Sequence, residues 1–230
     1  MKQQDAPPLR TIRSFVIREG RFTSAQKKAF ADLWPKYGIP SEDIETLVPN
    51  EWFANSQPLI LDVGFGSGDS LVSLAQQRPD LNFIGVEVYR PGIGAVLQKI
   101  EQQELDNVRV INADVMQLLR SKFTADLLLG VMLWFPDPWP KTKHHKRRLV
   151  QEAFLQELVR VMQSQGILHL ASDWHPYVKF MLKHVGKVGN FMLTDSLKNP
   201  LQLDRPPTRF EQRGLRIGHK VTDLIYKLQK

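Results

Sequence analysis

The chain has 230 residues, 42% of them hydrophobic and 24% charged, with a formal charge of +7. That is the composition of a soluble globular domain with additions, and it excludes a chain disordered throughout. The lack of cysteine excludes disulfides, thiolate metal sites, iron–sulfur clusters and cysteine nucleophiles, while the basic excess favours a polyanionic partner.

Residues 1–55 read as a first section. Up to position 28 it sets Lys2, Arg10, Arg13, Arg18, Arg21, Lys27 and Lys28 against Asp5 and Glu19 alone, which describes a basic N-terminal arm. Such a run is either a solvated extension or a contact for an anionic partner. Thr23 or Ser24 can cap a helix running through Leu33, which Pro35, Gly38 and Pro40 then break. The terminus lacks an apolar signal segment, and no window approaches the roughly 20 apolar residues of a membrane span. A cytoplasmic protein without membrane attachment is expected.

Residues 56–230 form the second section, in which strands and helices alternate. The patterning predicts strands over Leu59–Val63, Phe83–Val88 and Val108–Asn112, with helices over Asp69–Gln77 and Gly92–Gln103 between them. A helix over Ala113–Lys122, a strand over Asp126–Leu133, a helix over Arg147–Met162 and a strand over Gly166–Ala171 follow. Trp174–Val185 reads as a helix, and Gly189–Thr194 and Val221–Leu228 as final strands on either side of the basic, proline-interrupted stretch Leu203–His219. The fold class is α/β, a doubly wound and mostly parallel seven-stranded sheet.

Asp62, Glu87, Asp114, Asp137 and Asp173 each fall at or just after a predicted strand end, at intervals of 25, 27, 23 and 36 residues. A strand with its return helix takes about 30 residues, so the five line up along one sheet edge, where open α/β sheets bind ligands. For any one of them the alternative is that Asp is simply a common turn and capping residue. Gly64, Gly66 and Gly68 let the backbone turn after the first strand and approach a ligand closely. Their spacing is GxGxG, which is neither the dinucleotide GxGxxG nor a phosphate loop. Asp62 ahead of that turn would repel a pyrophosphate and attract a cation. The sulfonium and amino groups of S-adenosylmethionine fit, with Glu87 placed to accept both ribose hydroxyls and Asp114 the adenine amino group.

The stretch Phe135–Arg148, FPDPWPKTKHHKRR, joins a carboxylate to a block of charge. Pro136 and Pro138 bias Phe135 and Asp137 towards extended backbone, putting Asp137 just past a strand's carboxyl end. Lys141, Lys143, Lys146, Arg147 and Arg148 account for most of the net charge and suit phosphates. Trp139 and Trp174 either stack on an exposed base or serve in packing. His144 and His145 point differently and have no third ligand, so no metal site is expected.

Four blocks, LDVGFGSGDSLVSLA with FIGVEVYRPGIG, FPDPWPKTKHHKRRLVQ, ASDWHPY and RPPTRFEQRGLRIGHKVTDL, resemble the bacterial tRNA (guanine-N7)-methyltransferases. The N-terminal RSFVIREGRFTSAQKKAFADLWPKYGI is similar to that family's arm, so the resemblance covers nearly the whole chain. It implies the class I methyltransferase fold, S-adenosylmethionine as cofactor, tRNA as partner and methylation of guanine N7 at position 46 of the variable loop. It further implies cofactor contacts from Asp62, Glu87 and Asp114, and places Asp137 where cofactor and substrate meet. Lys141, Asp173, Thr208, Arg209, Phe210 and Glu211 would contact the target nucleotide, and Lys143, His144, His145, Lys146, Arg147 and Arg148 would grip RNA. Two departures stand out: Glu is frequent in the family where this chain has Asp62, and Thr where it has Ser172. Nothing in the sequence requires a protein partner.

Guanine N7 carries a lone pair and no proton, so its attack on a methyl group needs alignment and electrostatics and no general base. A carboxylate on the guanine N1 and N2 edge recognises the base and stabilises the cationic product ring; Asp137 and Asp173 are the candidates. Three other readings compete. DPW is similar to the catalytic loop of N6-adenine methyltransferases, a nicotinamide dehydrogenase would share the glycine turn and Glu87, and an RNA-binding protein on a methyltransferase scaffold would need no chemistry.

Overall fold

The computed structural model describes residues 13–16, 22–194, 206, 211, 218 and 220–230. Its helices are α1 (Ser24–Tyr37), α2 (Asp69–Gln77), α3 (Arg90–Gln102), α4 (Val115–Ser121), α5 (Glu152–Val161) and α6 (His175–Val188). Its strands are β1 (Leu59–Val63), β2 (Asn82–Val86), β3 (Val108–Ile111), β4 (Leu128–Trp134), β5 (Met162–Ser172), β6 (Phe191–Leu193) and β7 (Thr222–Leu228). One seven-stranded sheet runs in the order β3-β2-β1-β4-β5-β7-β6. The first five strands are parallel, and β7 is antiparallel to both neighbours. The doubly wound fold expected from the alternation is thus the one observed.

β1 and β2 are buried along their whole length because helices cover both faces, which is why they read as unbroken apolar runs. Leu59, Leu61 and Val63 point into a core shared with α4, α5 and α6. Ile60 points into a second core shared with α1, α2 and α3. Asp62, two residues on, lies on the Ile60 side of the sheet by the same alternation.

One expectation about the first section needs correction. Helix α1 begins where expected, with a Thr23–Gln26 capping box, but runs on through Pro35 to Tyr37. A proline in the last turn removes one N–H without ending the helix, and the Gly38 N–H closes it on Trp34 O at 2.7 Å. The chain then bridges to the sheet, with the Ile39 N–H on Val110 O at 2.8 Å. Ile39, Leu47 and Phe53 are core residues. These three residues, ahead of position 56, pack in the same core as the sheet.

The helix expected over Arg147–Met162 is also divided. Thr142–Arg147 forms a 3₁₀ turn, Arg148 takes an extended conformation with ψ 134°, and α5 starts only at Glu152. Met162 already belongs to β5, where it pairs with Leu128.

Candidate active site

β2 and β3 lie on one side of β1 and β4 on the other, so the chain reverses its strand order between β1 and β4. Such a switch point opens a crevice at the carboxyl ends of the strands. Asp62 occupies the β1 side, paired in register with Met132 of β4, and the segment after β4 carries Asp137. Between β1 and α2, Gly64, Gly66 and Gly68 hold φ of +73°, +60° and +73°, the left-handed region that side chains strain to adopt. A Cβ on Gly92, in the first turn of α3, would come within 2.2 Å of Gly66 O. The glycine turn is thus pressed against α3; the Gly64 N–H bonds to Val86 O at 2.8 Å and the Gly68 N–H to Phe65 O at 2.9 Å, which leaves the Gly66 N–H for a side-chain acceptor.

Glu87 supplies that acceptor. Its Oε2 accepts the Gly66 N–H at 3.0 Å, and Oε1 accepts the N–H groups of Val88 and Tyr89 at 2.7 and 3.0 Å. A carboxylate has about four acceptor positions, so roughly one remains. Glu87 therefore keeps acceptor capacity for a ligand hydroxyl beside these three bonds. Burial nonetheless pushes its carboxyl above the usual range, against those three N–H bonds, and the charge of Asp137 pushes the same way.

Asp62 is buried, and among the described residues no donor reaches its carboxylate. Burial first, and the Glu87 charge second, push it up to about 7. The Glu87 charge raises Asp62 and the Asp137 charge raises Glu87, so each of these two pairs lies within electrostatic range. Asp114 is the N-cap of α4, its Oδ1 accepting the Met116 N–H at 2.9 Å. Its capping role is real, and Oδ2 stays available for a nucleobase donor. Asp173 directly follows β5, beside Ser172, whose Oγ accepts the Trp174 N–H at 3.2 Å.

The segment around Asp137 is held in an uncommon conformation. Phe135 has φ +53° and Trp139 φ +44°. Phe135 is therefore not extended as expected: a following proline disfavours the right-handed helical region, which here leaves the chain in the left-handed one. The Phe135 N–H continues the β4–β5 ladder onto Ala171 O at 2.8 Å. Asp137, two residues later, is exposed.

The basic residues divide by burial. Lys141, Lys143 and Lys146 are exposed and His144 and His145 half-buried. Partial desolvation, then the charges of Lys143, Arg147, Lys141 and Lys146, lower the His144 pKa. Arg147 is engaged with the protein: Nε donates to Arg13 O at 3.1 Å, Nη2 to Phe15 O at 2.8 Å, and the guanidinium lies 4.0 Å from the Trp139 ring centroid. Trp139 Nε1 donates to Ser14 O at 3.1 Å, so this tryptophan packs the 13–16 strip. Arg148, expected among the RNA contacts, is 2% exposed and is packed against the interior. A run of like charges gives no sign of which member turns inward; only the aromatic partners at Tyr177 and Phe180 on α6 reveal it.

A cleft of about 1120 Å³ opens between α3, α4 and the basic segment, with Arg13, Arg90, Asn112, Asp114, Arg120 and Lys146 among its walls. Its walls include Asp114 but not Asp62, Glu87, Asp137 or the glycine turn. Together the positive-φ glycine turn, the spare acceptor of Glu87, the free side of Asp114 and an undonated buried carboxylate at Asp62 fit a cationic nucleoside. Thr208, Arg209 and Phe210 lie outside the described residues, whereas Glu211 is described as helical and half-buried. Among the described residues no group of acids and histidines could hold a metal, and no helix is long and apolar enough to cross a membrane.

Residues 56–224 match the family model described as "Putative methyltransferase". The chain is 42% identical to the tRNA (guanine-N(7)-)-methyltransferase of Alcanivorax borkumensis, over 95% of this chain and 92% of that protein. It is 44% identical to the protein of the same name from Marinobacter nauticus, over 97% and 95% respectively. Among solved structures it is similar to the 16S rRNA methyltransferase KamB, with TM-score 0.59 at 14% identity, covering 81% of this chain and 96% of that one. A structure titled an antibiotic related methyltransferase gives TM-score 0.56 at 15% identity, covering 84% and 99%. These two likenesses speak to the fold alone.

Proposed function

The chain belongs to the tRNA (guanine-N(7)-)-methyltransferase family, and from that premise we propose how its residues divide the work. It is an S-adenosylmethionine-dependent enzyme that forms 7-methylguanosine in tRNA, and the guanine at position 46 of the variable loop is the target we assign. When bound, S-adenosylmethionine supplies the electrophilic methyl group. Asp62 neutralises the ligand's positive charge, Glu87 takes a ribose hydroxyl, and Asp114 accepts the adenine amino group. The glycine turn admits the ligand close to the backbone.

Asp137 receives the N1 and N2 edge of guanine, orienting N7 in line with the methyl, and its charge offsets the positive charge that the ring acquires. No proton leaves N7, so the carboxylate works by position and field, as electrostatic preorganisation requires. Asp173 and Lys141 flank the same base, and with Glu211 they hold it out of the RNA stack, a step that costs a few kcal/mol, about what good contacts to the flipped base return. Lys143 and Lys146 hold phosphates, giving sequence-blind, salt-dependent affinity. The site of action that follows is the cytoplasm.

The observation carrying this reading is the placement of Asp62 and the Asp137 segment after β1 and β4, on either side of the strand-order reversal, beside a glycine turn held by Glu87. The test is methylation of unmodified tRNA by the purified protein, with the product nucleoside identified and mapped. 7-Methylguanosine at one variable-loop position supports the assignment; methyladenosine without it refutes the assignment.

A further inference from the structure

We infer that Arg148 is a positioning residue for the methyl-transfer segment, holding the backbone beside Asp137 from inside the fold, and that it is not a ligand of RNA phosphate. This rests on the reading of Asp137 as the carboxylate that orients guanine.

Arg148 is 2% exposed, although three of its basic neighbours, Lys141, Lys143 and Lys146, face solvent. Its Nε donates to Pro138 O at 2.9 Å, one residue past Asp137. Its guanidinium carbon lies 5.0 Å from the Tyr177 ring centroid and 4.8 Å from that of Phe180, so α6 supplies an aromatic wall for the cation. Asp137 and Arg148 both act on the buried Tyr177 hydroxyl, in opposite directions, which puts carboxylate, guanidinium and phenol in one neighbourhood.

The segment needs such a hold. Phe135 and Trp139 stand on either side of Asp137 in the left-handed region. Non-glycine residues there are strained and persist only when surrounding structure fixes them. Before Asp137 the fixing contact is the Phe135 N–H on Ala171 O. After Asp137, Arg148 on Pro138 O fixes the backbone from the interior, whereas Trp139 is held through the 13–16 strip. Arg148 Nη2 is buried without an acceptor. A buried unmet donor is costly, and here it leaves the guanidinium a second bond to give as the segment adjusts around a bound base. Lysine offers one ammonium in place of this planar fork, so it serves only in part.

The test compares Arg148→Met and Arg148→Lys with the wild type. The readouts are kcat at saturating tRNA and cofactor, normalised to cofactor-binding sites by titration, KM for tRNA, and the slope of tRNA affinity against salt. Expected is a fall in kcat of about tenfold or more for Arg148→Met, the worth of one charge-assisted hydrogen bond. Arg148→Lys recovers part of it, and KM and salt slope stay at wild-type values. A salt slope smaller by about 0.7–0.9, one phosphate contact, would return Arg148 to the RNA interface and overturn the inference. Wild-type kcat per cofactor site, in protein that has only lost thermal stability, would also overturn it. If Arg148→Met does not fold, the same readouts on Arg148→Lys decide. Asp137→Asn measured in parallel separates the premise: wild-type kcat there removes the reading of Asp137, whatever Arg148 does.

Discussion

Glu87 Oε2 accepts the backbone N–H of Gly66 at 3.0 Å, tying the carboxylate that follows β2 to the glycine turn that follows β1. One side chain thereby shapes the turn and keeps an acceptor for the ligand. Glu87→Ala removes both roles and is expected to weaken S-adenosylmethionine binding by about 10- to 150-fold, the value of losing a charged hydrogen bond. Glu87→Gln keeps an amide oxygen but replaces the other acceptor with a donor, so its loss is intermediate. Calorimetric titration measures both, and tRNA affinity is expected to stay unchanged.

With Asp62 as the proposed partner of the cationic cofactor, binding is expected to depend on pH. Its carboxyl is pushed up to about 7, and a cationic ligand prefers the ionised form. Below pH 7 binding must expel a proton, so affinity is expected to fall towards about tenfold per pH unit between pH 7 and 5.5. In the ligand-free protein the sign reverses. The folded state holds a proton that the unfolded chain, with its ordinary value of 3.8, has released, so stability declines as pH rises from about 4 to 7. Asp62→Asn is expected to flatten both profiles, read by titration and by denaturant unfolding across pH.

The exposed lysines are the proposed source of the salt dependence. Lys143→Ala with Lys146→Ala removes two candidate phosphate contacts and is expected to reduce the slope of tRNA affinity against salt by about 1.4–1.8. Cofactor affinity should be unaffected. Filter binding at several salt concentrations measures the slope, and an unchanged slope would place the RNA elsewhere.

How much of this was legible in the sequence depends on how local the cause is. The β1 strand and the α2 helix match their expected bounds, because an apolar run closed by a glycine turn is a local signal. The acids at the strand ends followed from the same periodicity. The conformation of Phe135 did not, since the rule for residues before proline removes one region and leaves two. Nor did the split between Lys146 and Arg148, which depends on Tyr177 and Phe180 some 30 residues away. Ile39, Leu47 and Phe53 were placed in an arm because charge density upstream masked three widely spaced core residues.

Asp137, the carboxylate proposed to orient guanine, is exposed after β4 and within electrostatic reach of Glu87. Single-turnover formation of 7-methylguanosine in unmodified tRNA, with cofactor and tRNA both saturating, isolates its role from binding. For Asp137→Ala the expected result is a methyl-transfer rate lower by about 100-fold or more, on the scale of losing one preorganised electrostatic group, with cofactor affinity within a few-fold of wild type. A wild-type rate in that variant would contradict the assignment.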